Sequence, residues 1–334
     1  MKDSTFIIRL EGAVVGFHKK NEDILLLENL NLKIKNGELT GLIGRNGAGK
    51  STLLRCIVRL QYLLQGTIYI NDQFIEKIHP NELSQILSYV SSGFEHTETM
   101  TVSELVSLGR FPYTNWIGKL LPSDIELIEE AMASVGIEYL SNRKISEISD
   151  GERQKAMIAR TLAQNTPLIV LDEPTAFLDL PSKYDIISIL YELTRKGKTV
   201  IYSTHDLNIA LRFSDKVWLI DDKTIHDGSP EDLILDKTIA GIFESDKIFL
   251  NGMTGDFELR KQFDKKLCLS CDVQNLYYWT RQALQRSGYE IVEYDKALQL
   301  VTVEIINNKI IWKIQRFNEI LVFESIYDML SALY

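Results

Sequence analysis

Residues 39–51 constrain this chain more than any other stretch. A short apolar strand, Leu39-Thr40-Gly41-Leu42-Ile43, runs into Gly44-Arg45-Asn46-Gly47-Ala48-Gly49-Lys50-Ser51, and a helical pattern continues through Thr52 to about Leu60. The octapeptide matches G-x-x-x-x-G-K-[ST], and a strand before it with a helix after it is the setting the motif's mechanism requires. Glycines let backbone N–H groups converge on phosphate oxygens, and a helix N-terminus adds a favourable dipole. Lys50 supplies a point charge to β- and γ-phosphates, and the Ser51 hydroxyl suits Mg2+. The implication is a nucleoside triphosphate bound at the strand C-termini of an α/β sheet.

The surrounding pattern fills in the rest. Residues 6–17 read as a strand, and 29–35 alternate, with Leu30, Leu32 and Ile34 on one face. Asn71-Asp72 separates 66–70 from 74–75 as a hairpin. From about residue 82 to 160 the pattern is mainly helical; Thr101 and Glu104 make a capping box, and another helix follows Pro122. Strand–helix alternation returns at 168–171, 181–195 and 199–203, a second hairpin follows across Asp221-Asp222-Lys223, and Ser229-Pro230 opens a helix. The first domain is placed at residues 1–245, with a helical insert at about 92–160. Residues 246–334 read as a separate small α/β unit, with a helix at 275–287 and a hairpin across Asn307-Asn308. Its expected core is Leu267, Leu269, Trp279, Leu284, Ile291, Val301, Val303, Ile311, Trp312 and Leu321. Cys268 and Cys271 form a C-x-x-C; on a strand, residues three apart point to opposite faces, so they read as unrelated structural cysteines.

Leu168-Ile169-Val170-Leu171 is an apolar run of the buried parallel-strand kind, and it ends in Asp172-Glu173. That end of a strand places carboxylates beside the phosphate loop. Asp172 is assigned to the metal and Glu173 to the general base that polarises the attacking water.

Upstream of that strand, Ile148-Ser149-Asp150-Gly151-Glu152-Arg153-Gln154 resembles the LSGGQ or LSGGE signature of ATP-binding cassette (ABC) ATPases. Residues 171–179 are similar to the family's Walker B strand and D-loop, and Ser203-Thr204-His205-Asp206 to its H-loop. The resemblance covers about residues 6–240. It implies a P-loop NTPase fold: a RecA-like core with an antiparallel β subdomain and a helical insert, to which this chain adds its small C-terminal α/β domain. It implies ATP and Mg2+ as ligands, Lys50, Glu173 and His205 as catalytic residues, and Phe17 stacked on adenine. It also implies a head-to-tail homodimer around two ATP molecules. The signature residues Ser149, Asp150, Gly151 and Glu152 would then face ATP on the other subunit, and Asp179 would lie at the same interface. Two positions depart from the pattern. Asp150 replaces the signature's first Gly, and a carboxylate near phosphates is unfavourable unless it points away or pairs with a base. Ser92 stands at the Q-loop position in place of Gln, and its shorter side chain reaches Mg2+ only through a water.

Residues 101–113 resemble the helical insert of the ATPases of iron–siderophore, haem and vitamin B12 importers, above all in the Gly109-Arg110-Phe111-Pro112-Tyr113 step. That implies an integral-membrane permease and a substrate-binding protein as partners, and the cytoplasmic face of the cell membrane as the location. The alternatives are a soluble ABC ATPase, which usually carries two cassettes or a long coiled coil, and a regulatory cassette that barely hydrolyses ATP. A net charge of −9 without a basic stripe speaks against nucleic acid. No apolar run approaches the ~18 residues of a membrane span, and the N-terminus lacks a signal-peptide pattern. Residues 246–334 carry none of the nucleotide motifs, which leaves a regulatory domain or a structural cap.

Overall fold

The structure, a computed structural model, describes residues 5–19, 22–91, 99–114, 118–252, 254–294, 299–316 and 319–333. The chain divides into two units, the first of residues 1–242 with 252–256 and the second of 243–251 with 257–334.

In chain order the first unit opens with strands β1 (Phe6–Lys19), β2 (Glu22–Lys35) and β3 (Leu39–Ile43), then helix α1 (Lys50–Ile57). Next come β4 (Gln65–Ile70), β5 (Gln73–Phe74), α2 (Pro80–Ile86) and β6 (Leu87–Val90). The helices α3 (Val102–Ser107), α4 (Pro122–Ser134) and α5 (Asp150–Gln164) lead to β7 (Leu168–Leu171), α6 (Leu180–Arg195) and β8 (Thr199–Thr204). The unit ends with α7 (Leu207–Phe213), β9 (Lys216–Asp221), β10 (Thr224–Gly228), α8 (Pro230–Leu235) and α9 (Thr238–Phe243).

Two sheets organise it. One is six-stranded, in the order β10-β9-β3-β8-β7-β6, and only β10 runs antiparallel. Every residue of β3, β7 and β8 is buried because helices or the second sheet cover both faces, and β7 accordingly reads as an unbroken apolar run. The other sheet is antiparallel, in the order β2-β1-β4-β5. Ile8, Leu10, Leu32 and Leu53 share a core with Val170 and Trp218 on one side of the large sheet. On its other side Leu105, Ile128, Ile158 and Ile187 pack with Leu39 and Leu171.

Residues 87–90, expected within a helical stretch, are instead the edge strand of the large sheet, with Val90 opposite Leu171. Four residues that follow α2 directly, with no Gly or Pro between, give no period to read. Strand β2 begins well before residue 29. Its pairing with β1 shifts register several times and Asn29 has a φ of 50°, so the alternation breaks across Leu25-Leu26-Leu27.

The second unit begins with the hairpin β11 (Ile248–Leu250) and β12 (Phe257–Leu259), which the sequence pattern did not reveal. Then follow β13 (Lys265–Cys271), α10 (Gln274–Arg286), β14 (Tyr289–Ile291), β15 (Gln299–Ile306), β16 (Lys309–Arg316), β17 (Glu319–Phe323) and α11 (Ile326–Ser331). These strands form one sheet, β14-β13-β15-β16-β17, and the two helices bury one face of it. Leu267, Leu284, Val301, Trp312, Ile314 and Met329 form the core. Two residues expected there are not: Trp279 is 63% and Leu321 38% exposed. Helix α10 turns Thr280, Ala283 and Leu284 inward instead, and the buried Trp312 Nε1 donates to Thr280 Oγ1 at 3.0 Å. Cys268 and Cys271 are free thiols on β13, and no cluster of metal-ligating side chains exists among the described residues. No helix among those residues is long and apolar enough to cross a membrane.

Candidate active site

The loop between β3 and α1 curls around a lysine. Gly47 and Gly49 adopt φ of 81° and 99°, a left-handed conformation that costs glycine nothing. Lys50 is 5% exposed, and its Nζ donates to the carbonyls of Gly44 at 2.9 Å and Arg45 at 3.3 Å. Gly44 packs so tightly that an added Cβ would lie 2.9 Å from Ile220 Cβ, and the Ala48 amide donates to Arg45 O at 3.1 Å. The loop borders a cleft of about 570 Å3, lined by Asn46, Gly47, Gly49, Lys50, Ser51 and Thr52, with Phe17, Leu26 and Glu173. Phe17, at the end of β1, is 43% exposed and offers a ring to that cleft. Leu26 had not been foreseen. It sits against the loop, 3.2 Å from where a Cβ on Gly49 would be, but within Leu25-Leu26-Leu27 it reads as one core residue among three.

Two carboxylates stand where β7 ends. Asp172 is 1% exposed. Its Oδ1 accepts from Ser203 Oγ at 2.7 Å, while Oδ2 is buried without a hydrogen-bond partner among the described residues. A buried carboxylate oxygen without a partner is costly and suits a cation. Glu173 has a left-handed φ of 51°, an uncommon conformation for a residue with a side chain. Its amide donates to Ser203 Oγ at 2.8 Å. Its Oε1 lies 3.6 Å from Lys50 Nζ and its Oε2 3.9 Å from His205 Nδ1. Ser203, the penultimate residue of β8, therefore ties the Asp172 carboxylate and the Glu173 backbone to the neighbouring strand, a role sequence reading missed. Its only sequence signal is a hydroxyl among the apolar residues Val200, Ile201 and Tyr202. Hard oxygen donors from Ser51 and Asp172 fit Mg2+.

The signature residues stand apart from the cleft's lining. Ser149 caps α5, accepting from Glu152 N at 3.3 Å and donating to Glu152 Oε2 at 2.8 Å. Bonds from the Ser149 amide and then its hydroxyl hold the Glu152 carboxyl below its ordinary pKa, and Tyr139 OH adds a third at 3.0 Å. Asp150 pairs with Arg153 at 2.8 Å, so its charge is met by a base within the same helical turn. Gly151 is closely packed, with an added Cβ 2.9 Å from Ser182 Oγ. Ser182 in turn donates its amide to Asp179, the N-cap of α6, at 3.1 Å. Ser92 lies outside the described residues.

In the insert, Arg110 Nε donates to Asp124 Oδ1 at 2.9 Å and Nη1 to Ala163 O at 2.8 Å. The guanidinium stacks over Tyr113, whose hydroxyl donates to Gln164 O at 3.0 Å. The turn is thus clamped to the end of α5, while Phe111 remains 74% exposed.

A phosphate loop, carboxylates on the adjacent strand and a histidine beside them, on a parallel sheet flanked by an antiparallel one, define a P-loop nucleotide hydrolase. Comparison with known proteins narrows the class. The ABC transporter family model matches residues 27–176, and the iron ABC transporter C-terminal domain model matches 265–334. The petrobactin import ATP-binding protein FpuD of Bacillus anthracis is 36% identical over 66% of this chain and 82% of that protein. The ferric enterobactin transport ATP-binding protein FepC of Escherichia coli is 34% identical over 73% of this chain and 89% of that one. A dimeric ABC transporter cassette, MJ0796, superposes with a TM-score of 0.60 at 30% identity, covering 67% of this chain and 98% of its own. This chain belongs to the ATP-binding proteins of ABC transporters, and it is an ATPase of that family.

Proposed function

We propose that the chain powers uptake of iron–siderophore, haem or cobalamin-type chelates, working at the cytoplasmic face of the membrane with a permease and a substrate-binding protein. The observation that carries the chemistry is the convergence of Lys50, Glu173 and His205 beside the phosphate loop. Similarity to FpuD and FepC supports iron-chelate import as the task. Phe17 stacks on the base, and the loop amides cradle the phosphates. Lys50 Nζ turns from the Gly44 and Arg45 carbonyls to the β- and γ-phosphate oxygens. Mg2+, when bound, neutralises charge on those phosphates, and Ser51 and Asp172 would hold it. Glu173 accepts the proton of the attacking water, and His205 hydrogen-bonds the γ-phosphate.

The signature acts across a homodimer. The Ser149 hydroxyl gives up its bond to Glu152 and donates to a γ-phosphate oxygen on the other subunit. The Asp150–Arg153 pair supports this by offsetting the carboxylate that would otherwise repel that phosphate. A strain lacking this chain, grown with a ferric chelate as its sole iron source, tests the whole reading. Growth should return with the wild-type chain and not with Glu173→Gln. Full rescue by that variant would sink the proposal.

A further inference from the structure

The second unit carries a groove of about 540 Å3 between the residues around β12 and the outer side of α10. Such a volume is that of a small-molecule site. Its charge is opposite to that of the whole chain. Arg260, Lys261 and Arg281 face one carboxylate, Glu258, in a protein of net charge −9. Glu258 is already engaged, accepting from Asn251 Nδ2 at 2.7 Å. Arg260 is engaged too, with Glu244 at 3.0 Å and Ser245 O at 3.2 Å. Lys261 and Arg281 have no hydrogen-bond or ion-pair partner among the described residues. Two unpaired cations at one cleft repel each other, and an anion relieves that repulsion.

The rest of the lining is aromatic and amide. Phe249 and Phe263 are half-buried, and Phe249 already carries the Arg260 guanidinium 5.4 Å from its ring centroid. Gln282 and Gln285 add side-chain amides from α10. A bare phosphate would gain nothing from the rings, and an uncharged hydrocarbon would gain nothing from Lys261 and Arg281. We propose that this groove binds a small aromatic anion, a carboxylate or sulfonate, whose ring packs on Phe249 and Phe263 while Lys261 and Arg281 meet its charge. The site is built only of residues outside the nucleotide cleft and does not depend on how that cleft works.

The test is a fluorescence titration of the full chain with 8-anilinonaphthalene-1-sulfonate, with Mg-ADP present to fill the phosphate loop. Saturable binding is expected, displaced by naphthalene-1-sulfonate. The double variant Lys261→Glu/Arg281→Glu should weaken it at least tenfold, about 1.4 kcal/mol. Both positions are exposed and have no partner among the described residues, so the fold should persist, as circular dichroism would report. Lys261→Arg/Arg281→Lys should stay within about threefold of wild type, which separates charge from a general loss of shape. The uncharged analogue N-phenyl-1-naphthylamine should bind the wild type and the charge-reversed variant alike. No saturable binding to the wild type, or sulfonate binding that the reversal leaves unchanged, overturns the proposal.

Discussion

Ser203 holds two functional groups at once: its hydroxyl donates to Asp172 and accepts from the Glu173 amide. Without it, neither Asp172 carboxylate oxygen would have a hydrogen-bond partner among the described residues, and the part-buried Glu173 N–H would lose its acceptor. Ser203→Ala should therefore cost about 1–3 kcal/mol in denaturant unfolding, the usual penalty for buried polar groups left unsatisfied. It should also slow turnover, because the left-handed Glu173 backbone loses the bond that fixes it. A variant with unchanged stability and rate would show that the contact is dispensable. Glu173→Gln should lower turnover by about 10²–10⁴-fold while ATP binding persists, since it removes the proposed base and keeps size and polarity. Retention of more than about half the wild-type rate would rule Glu173 out as the base.

The insert shows how a short segment is fixed against a long helix. An alanine Cβ at Gly109 would lie 2.1 Å from Arg160 O and 3.1 Å from Gln164 N, both backbone atoms of α5. Gly109→Ala should cost about 1–3 kcal/mol by overpacking. In a unit of this size each kcal/mol lowers Tm by about 2–4 °C, so calorimetry can see it. The same turn carries an acid-sensitive contact. The Leu121 amide, and then Arg110, hold the Asp124 carboxyl below its ordinary range. A depressed folded pKa gives stability that is fully present above the unfolded value of about 3.9, and it fades as pH falls through the folded one. Asp124→Asn should be less stable than wild type at neutral pH, and the deficit should narrow below about pH 4. A deficit that stays constant down to pH 2 would contradict the assignment. This scale also shows what a sequence exposes. The phosphate loop was legible because its chemistry is local: eight consecutive residues between a strand and a helix. Strand β6 was not, because four residues without a turn signal have no period. Ser203 was not either, since its role exists only once β7 and β8 pair. Trp279 was misplaced because hydrophobicity alone does not say which side of α10 meets the sheet.

At the scale of the whole chain, the proposed homodimer brings the signature of one copy to the phosphate loop of the other. Glu173→Gln should therefore dimerise with Mg-ATP and not without it in size-exclusion chromatography, and a dimer indifferent to nucleotide would contradict the sandwich. The last expectation concerns what the cassette needs of the rest. Among the described residues there are three hydrophobic cores; the fully buried members of the first two all precede residue 221, and those of the third all follow residue 266. Removing the chain after Phe243 takes from the first unit only residues 252–256. Their polar ties there include Arg212 to Asp256 at 3.2 Å and to Thr254 O at 3.4 Å, both exposed. An exposed ion pair is worth about 0–1 kcal/mol, far less than a domain's stability. A chain ending at Phe243 should stay soluble and keep basal ATPase activity within a few-fold of the full chain. Insolubility would mean that the second unit completes the cassette's fold. A soluble product whose rate differs tenfold or more, about 1.4 kcal/mol in barrier, would instead make the second unit a regulator of hydrolysis rather than a cap.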